Sequence, residues 1–268
     1  MQETAFAKLN LALHVRARDP DGYHRIETIF AFCEDGDRLS VGEGEGLSLA
    51  VAGPFGHELS SGDDNLAMRA AYALADLCGA SDGAALTLEK RLPVSAGLGG
   101  GSADAGAVLR LLCRWWEVTP PEEALHALAA RLGADVPACL WSRPARGEGR
   151  GDALEPWPDE SFAGAPVLLV NPGTPLSTAA VFASWNGDDL GPLGALEGSR
   201  NDLEPPAIAL IPEIAEILGA LCGARFARMS GSGATCFGLY ESGEARDAAA
   251  AAIRAAFPQW WQLSTRLR

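Results

Sequence analysis

Residues 97–102, Gly-Leu-Gly-Gly-Gly-Ser, put four glycines and a hydroxyl directly ahead of a stretch with helical periodicity. Glycine at that density costs backbone entropy on folding, so it answers a geometric demand. No Gly-Lys-Ser/Thr follows at the offset of a Walker loop. Ser102 also stands where a GxGxxG fingerprint has its third glycine. Unhindered N–H groups opening onto a helix N-terminus, reinforced by the helix dipole, make an anion site. A flexible turn that merely packs closely is the competing reading of the run, and the less favoured one. A second cluster, Met229-Ser230-Gly231-Ser232-Gly233-Ala234, lies far downstream and by itself reads as a tight hairpin turn. Both clusters carry hydroxyl side chains, and together they favour a polyphosphate site between domains.

The basic residues add a second clue. Of the 21, only Lys8 and Lys90 are lysines; the rest are arginines. Lysine differs from arginine where a compact point charge is needed against a phosphate or a base. Lys90 lies just upstream of the glycine run and Lys8 within an apolar stretch. The formal net charge of -14 repels a polyanion, which argues against nucleic-acid binding. Six scattered cysteines form no CxxC pair, so neither a disulfide framework nor a zinc site is indicated. The opening MQETAFAKLN has no apolar signal core, and no apolar run approaches the length of a membrane span. A soluble cytoplasmic protein is expected, with no membrane and no obligatory protein partner.

The elements that must position these residues follow from the pattern. Residues 4–15 alternate as a strand with Phe6, Lys8, Asn10, Ala12 and His14 on one face. A turn at 19–24 leads to a strand at 25–33. Strands are predicted at 47–51 and 84–90, with a helix at 63–79 started by Asp/Asn and stopped by Gly79. Ser102 or Asp104 is expected to cap the helix after the glycine run, with Val108, Leu112, Trp115 and Trp116 as its buried stripe. A helix at 121–133 follows. The segment 143–164, dense in Pro, Gly and charge, reads as the domain junction. Beyond it come a strand at 165–171, helices at 178–185, 212–223 and 244–257, strands at 225–230 and 234–240, and a last strand near 262–268. This mixture predicts an α+β protein of two domains, 1–155 and 156–268.

With these motifs in place, the chain resembles the GHMP kinases, the group of galactokinase, homoserine kinase and mevalonate kinase. AKLNLALHV is similar to their first motif, PVSAGLGGGSADA to their second and MSGSGATCFG to their third, in matching order and separation. FAKLNLALHV, DGYHRIETIF, GADVP and NPG followed by ST further resemble the branch acting on a diphosphocytidyl-linked methylerythritol in the non-mevalonate isoprenoid route. The resemblance implies a ribosomal-S5-like N-terminal domain, a ferredoxin-like C-terminal domain and an active site between them. It implies an ATP- and Mg²⁺-dependent kinase that phosphorylates the 2-hydroxyl of a cytidine diphosphate substrate. Phe6 replaces a usual proline, and Ala103 replaces a second serine, which removes one hydroxyl near the phosphates.

The same match assigns roles by position. Asp135 is the implied general base and Lys8 the cation beside it. Without the motifs, Asp135 reads as a helix-end carboxylate and Lys8 as a snorkelling strand residue. The ATP cradle is implied over Pro93, Val94, Ser95, Ala96, Gly97, Leu98, Gly99, Gly100, Gly101, Ser102 and Ala103, with Asn65, Leu66 and Lys90 toward the adenine. Tyr23 and Phe182 are candidates to sandwich the pyrimidine while His24 reads its edge; Phe182 also fits a core position. Asn10, Thr178, Asp202, Gly231 and Ser232 are further substrate-site candidates. No residue is assigned to a metal. Three alternatives stand beside this reading: another GHMP kinase, disfavoured by the DGYH segment; a dinucleotide oxidoreductase, whose fingerprint is absent; and a nucleotide-binding module without turnover, disfavoured by Lys8 and Asp135.

Overall fold

The computed structural model describes residues 1–20, 22–158 and 161–268. Its architecture is α+β, as predicted. Two long strands come first, β1 (Gln2–Arg18) and β2 (His24–Gly42). Both faces of β1 are covered from Ala7 to Val15, so the face that carries Lys8, Asn10 and His14 is buried as well as the apolar one. Lys8, Asn10 and His14 are therefore interior polar groups, and each needs a partner. The turn expected at 19–24 includes residue 21, which lies outside the described residues. β2 runs on to Gly42 through the charged Glu34-Asp35, whose polarity hid the strand. At Gly36 the chain has no room for a side chain, because a Cβ there would lie 2.0 Å from the Ala5 carbonyl oxygen.

The chain forms two compact units interleaved along the sequence. One comprises Met1–Lys8, Asp35–Val94 and Gly99–Ser142; the other comprises Leu9–Glu34, Ser95–Leu98 and Arg143–Arg268. In the first unit, β3 (Leu47–Ala52) and β4 (Ala84–Glu89) are parallel, linked by α1 (Leu66–Cys78). β4 pairs antiparallel with Arg38–Gly42 of β2. Asn65 caps α1 by accepting from the Ala67 N–H at 2.9 Å, and Gly79 stops it in the left-handed region. α2 (Gly100–Trp115) packs on α1, and α3 (Glu122–Leu132) and α4 (Val136–Trp141) complete the unit.

Two expectations about α2 are corrected. The helix starts at Gly100 with Gly99 as its N-cap, so Ser102 and Asp104 lie inside it and cap nothing. A left-handed glycine turns the chain without a capping side chain, and Asp104 is engaged elsewhere. Trp115 and Trp116 are only half-buried. Their indoles donate to the carbonyls of Gly83 and Asp82 at 3.4 and 3.0 Å, a polar demand that keeps them at the margin.

In the second unit, Ile26–Phe30 of β2 pairs with β5 (Ala145–Gly149), which pairs with β6 (Ala153–Pro156). The Pro/Gly-rich segment 143–164 thus carries a hairpin; residues 159 and 160 of it lie outside the described residues. A four-stranded antiparallel sheet has the order β10 (Trp261–Arg266), β7 (Pro166–Asn171), β9 (Cys236–Leu239), β8 (Phe226–Met229). α5 (Thr178–Ala183), α6 (Glu204–Leu210), α7 (Glu213–Ala220) and α8 (Gly243–Ala256) accompany it. Leu168, Val170, Ile214, Ile217, Cys236 and Ile253 centre its core. All six cysteines are free, as their scatter predicts. Among the described residues no helix is long and apolar enough to cross a membrane.

Candidate active site

The first unit brings the first lysine to the glycine run. Gly99 has φ +62, and a Cβ on it would lie 2.7 Å from Lys8 Cε. Only glycine meets both the left-handed backbone and that close approach. The Lys8 side chain is 3% exposed, and its Nζ sits 2.9 Å from Asp135 Oδ2. Asp135 is 33% exposed, so the pair has one buried end and one accessible end. Asp135 directly precedes α4 and makes no side-chain cap bond, which leaves its carboxylate for the ion pair. The first N–H groups of α2, over Gly100, Gly101 and Ser102, have no intrahelical acceptor and face outward with the positive end of the dipole. A cation, a carboxylate and a helix N-terminus with free backbone N–H groups thus sit in one unit.

Beneath the same helix turn lies the second lysine. Lys90 is 1% exposed; its Nζ is 2.5 Å from Asp37 Oδ2 and 2.8 Å from Asp104 Oδ2. A Cβ on Gly100 would come within 2.9 Å of that ammonium. Asp37 Oδ1 also accepts from the N–H groups of Arg91 and Leu92, and so holds the chain as it enters the glycine run. Burial pulls the Lys90 ammonium down, but the two carboxylates outweigh it and raise its pKa. Asp104 is pushed up to about 7, first by burial, opposed by Lys90 and aided by Asp37. Its Oδ1 is buried without a hydrogen-bond partner. Neither Asp37 nor Asp104 was singled out from sequence as a partner of Lys90; a pairing across such separations leaves no local pattern.

The second unit interlocks the rest of the glycine run with the second cluster. Gly97 (φ +77) lies against Ser230, where a Cβ would meet the Ser230 carbonyl oxygen at 2.5 Å. Ser230 Oγ donates to Gly97 O at 2.9 Å and accepts from the Asn10 N–H at 3.1 Å. Asn10 Nδ2 donates to Thr28 Oγ1, and Thr235 N–H donates to Ala96 O. Asn201, which the sequence reading missed, donates from Nδ2 to the carbonyls of both Met229 and Gly231 at 2.8 Å. Ser95 is exposed with φ +53, Ala96 and Leu98 are buried, and Pro93, Val94 and Ser102 are half-buried. Ala103 is buried and Gly101 exposed.

The remaining candidates also fall in the second unit, apart from Asn65 and Leu66 at the start of α1. The His24 ring lies 4.7 Å from that of Phe182, tilted by 31°, and presents an edge to Trp185 at 5.6 Å. Burial, then the charge of Arg18, lowers the His24 pKa, so the imidazole is neutral at pH 7 and offers one donor and one acceptor. Tyr23 is 53% exposed with the Arg150 guanidinium 5.0 Å over its ring. Thr178 Oγ1 and Ser232 Oγ share a hydrogen bond of 2.8 Å. Asp202 is buried, accepting from the Val15 N–H and paired with Arg200, so it braces β1.

Comparison with known proteins gives a consistent picture. The model for the GHMP kinases N terminal domain matches residues 65–143, and that for the GHMP kinases C terminal matches 182–259. A 4-diphosphocytidyl-2-C-methyl-D-erythritol kinase of Rhizorhabdus wittichii is 52% identical, over 99% of this chain and 94% of its own. The enzyme of that name from Novosphingobium aromaticivorans is 50% identical over 100% of this chain and 93% of its own. Among solved structures, a 4-(cytidine 5'-diphospho)-2C-methyl-D-erythritol kinase superposes with TM-score 0.85 at 37% identity, covering 100% of this chain and 99% of that one. A mevalonate kinase from Methanococcus jannaschii shares the fold, with TM-score 0.73 at 11% identity, covering 100% of this chain and 98% of that one.

Proposed function

The chain belongs to the GHMP kinases, within the 4-diphosphocytidyl-2-C-methyl-D-erythritol kinases, and from that premise we propose that Asp135 is its general base and Lys8 the cation serving the transferred phosphoryl group. The protein is an ATP-dependent kinase of isoprenoid precursor biosynthesis whose acceptor is 4-diphosphocytidyl-2-C-methyl-D-erythritol. The observation that carries the residue assignment is the ion pair of Lys8 and Asp135 beside Gly99 at the start of α2.

Phosphoryl transfer asks mainly for positioning and charge neutralisation. In this reading an Asp135 carboxylate oxygen takes the proton of the substrate 2-hydroxyl as the hydroxyl oxygen attacks the γ-phosphorus. The bond from the γ-phosphorus to the β–γ bridging oxygen breaks, releasing ADP and the 2-phosphate. Lys8 offsets the charge spreading over the γ-phosphoryl oxygens. The N–H groups of Gly100 to Ser102 and the α2 dipole hold the phosphates, with Asn65 and Leu66 bordering the adenine and buried Lys90 supporting the turn from beneath. A Mg²⁺ ion bound to the ATP phosphates would neutralise part of their charge. Among the described residues no group of three His, Cys, Asp or Glu side chains could hold a metal. In the second unit, neutral His24 is suited to read the pyrimidine edge, with Tyr23 and Phe182 supplying faces and the Thr178–Ser232 pair further polar contacts.

Asp135→Asn keeps the shape and removes the basic oxygen. General-base contributions are ~10²–10⁴-fold, so kcat should fall by that order with KM for both substrates little moved. Lys8→Ala should cost a comparable amount. Turnover is measured as ADP release with the diphosphocytidyl substrate beside homoserine and mevalonate, which should not be phosphorylated. A fall below about tenfold for Asp135→Asn, in folded and nucleotide-saturated protein, removes Asp135 as the base.

A further inference from the structure

We propose that Arg110, on α2, is a positioning residue that sets the geometry of the Lys8–Asp135 pair; the inference rests on the reading of that pair as catalytic. The Arg110 Nη1 donates to the carbonyls of Cys139 and Leu140 at 2.6 and 3.2 Å and to Ser142 Oγ at 3.0 Å. Its Nη2 donates to Thr4 O at 3.1 Å and to Glu3 Oε1 at 3.2 Å, and its Nε to Glu3 Oε1 at 3.3 Å. Glu3 and Thr4 belong to β1, the strand that carries Lys8. Cys139 and Leu140 end α4, the helix that begins directly after Asp135. One guanidinium therefore ties the two elements bearing the ion pair to a third, whose first turn is the glycine run.

Three physical features make this tie consequential. α4 spans only six residues, too few for a helix to hold itself in water, so the placement of Asp135 depends on how its far end is anchored. Helix C-termini leave carbonyls unpaired, and a cation there suits the dipole. Arg110 satisfies both demands, and Ser142 Oγ adds a bond to Cys139 O at 2.6 Å. One turn before Arg110, Gly106 has no space for a side chain: a Cβ would lie 2.8 Å from both Cys139 C and Leu140 N. The end of α4 is thus seated on Gly106 and bound by Arg110. A planar fork with five donors can span two elements at once, which a lysine ammonium cannot.

The test is a cycle with the base. A misplacement of about 1 Å in an active site can cost on the order of 10²-fold. Arg110→Met should therefore lower kcat roughly ten- to a hundredfold with KM for ATP little changed. In an Asp135→Asn background the same change should cost little more, since a positioning residue has nothing left to position. Arg110→Lys should recover only part of the loss, and added methylguanidinium should restore part of kcat to Arg110→Ala. If Arg110→Met proves unfolded, Glu3→Gln, which keeps shape but withdraws one charged acceptor, should show a smaller loss with the same coupling. Equal fold-losses in both backgrounds, or none in the wild-type background while Asp135→Asn is disabled, overturns the positioning role. An active Asp135→Asn enzyme instead overturns the base assignment, and this proposal with it.

Discussion

Burial raises the proton affinity of Asp104, with the Asp37 carboxylate adding to it and the shared Lys90 ammonium opposing it. The Asp104 pKa stands at about 7 in the folded chain against an ordinary 3.8. Between those values the folded protein binds a proton that the unfolded chain does not, so stability should fall as pH rises from about 4 to about 7. The raised pKa of Lys90 acts only above its ordinary 10.5 and leaves this window untouched. Asp104→Asn should flatten the slope, by at most about 1.4 kcal/mol per pH unit for one proton; denaturant titrations across the window measure it. An unchanged slope would show that Asp104 is ionised throughout. His24 supports a different residue-level expectation. As a neutral edge reader it should favour cytidine over a uridine analogue by roughly 1–3 kcal/mol, the cost of a mismatched buried polar pair. His24→Phe keeps an aromatic ring against Phe182 and Trp185 and should erase that preference in kcat/KM. Equal use of both bases by the wild type would end the role given to His24.

At the scale of elements, α2 is the organising piece of the first unit. Its glycines differ in what they do, and the difference can be tested. Gly106→Ala gains helix propensity of about 1 kcal/mol but forces a methyl to within 2.8 Å of α4 backbone. Overpacking costs about 1–3 kcal/mol, so thermal unfolding should show net destabilisation. Gly101→Ala meets nothing within 4 Å and should be neutral or stabilising. Matched unfolding temperatures for the two variants would mean that α4 yields freely and that its seat on α2 does not constrain Asp135. The helices with strong caps were legible beforehand: Asn65 and Gly79 bound α1 because their side chain and backbone satisfy the helix ends locally. α4 and α6 were not, since each is short and begins beside a proline, leaving too few residues for a periodic stripe.

At the scale of the whole molecule, the sequence determined what depends on local chemistry. Glycine density and the rarity of lysine drew attention to both glycine clusters, Lys8 and Lys90, while the family and the role of Asp135 came from the resemblance of three ordered motifs to the GHMP kinases. The free cysteines and the α+β class followed from spacing and pattern. The tertiary structure decided which of these groups share a neighbourhood. Gly99 rests on Lys8, whereas Gly97 rests on Ser230, so one glycine run serves two units. Lys8 pairs with Asp135, whereas Lys90 is held between Asp37 and Asp104, though both had stood alike as isolated lysines. The hairpin of β5 and β6 emerged from a segment whose prolines and glycines concealed it, because its partner is β2 and not its own composition. Arg110 shows the physical reason most directly. Hydrogen bonds to backbone carbonyls far along the chain carry no signature in residue type, and only folding brings them to one guanidinium.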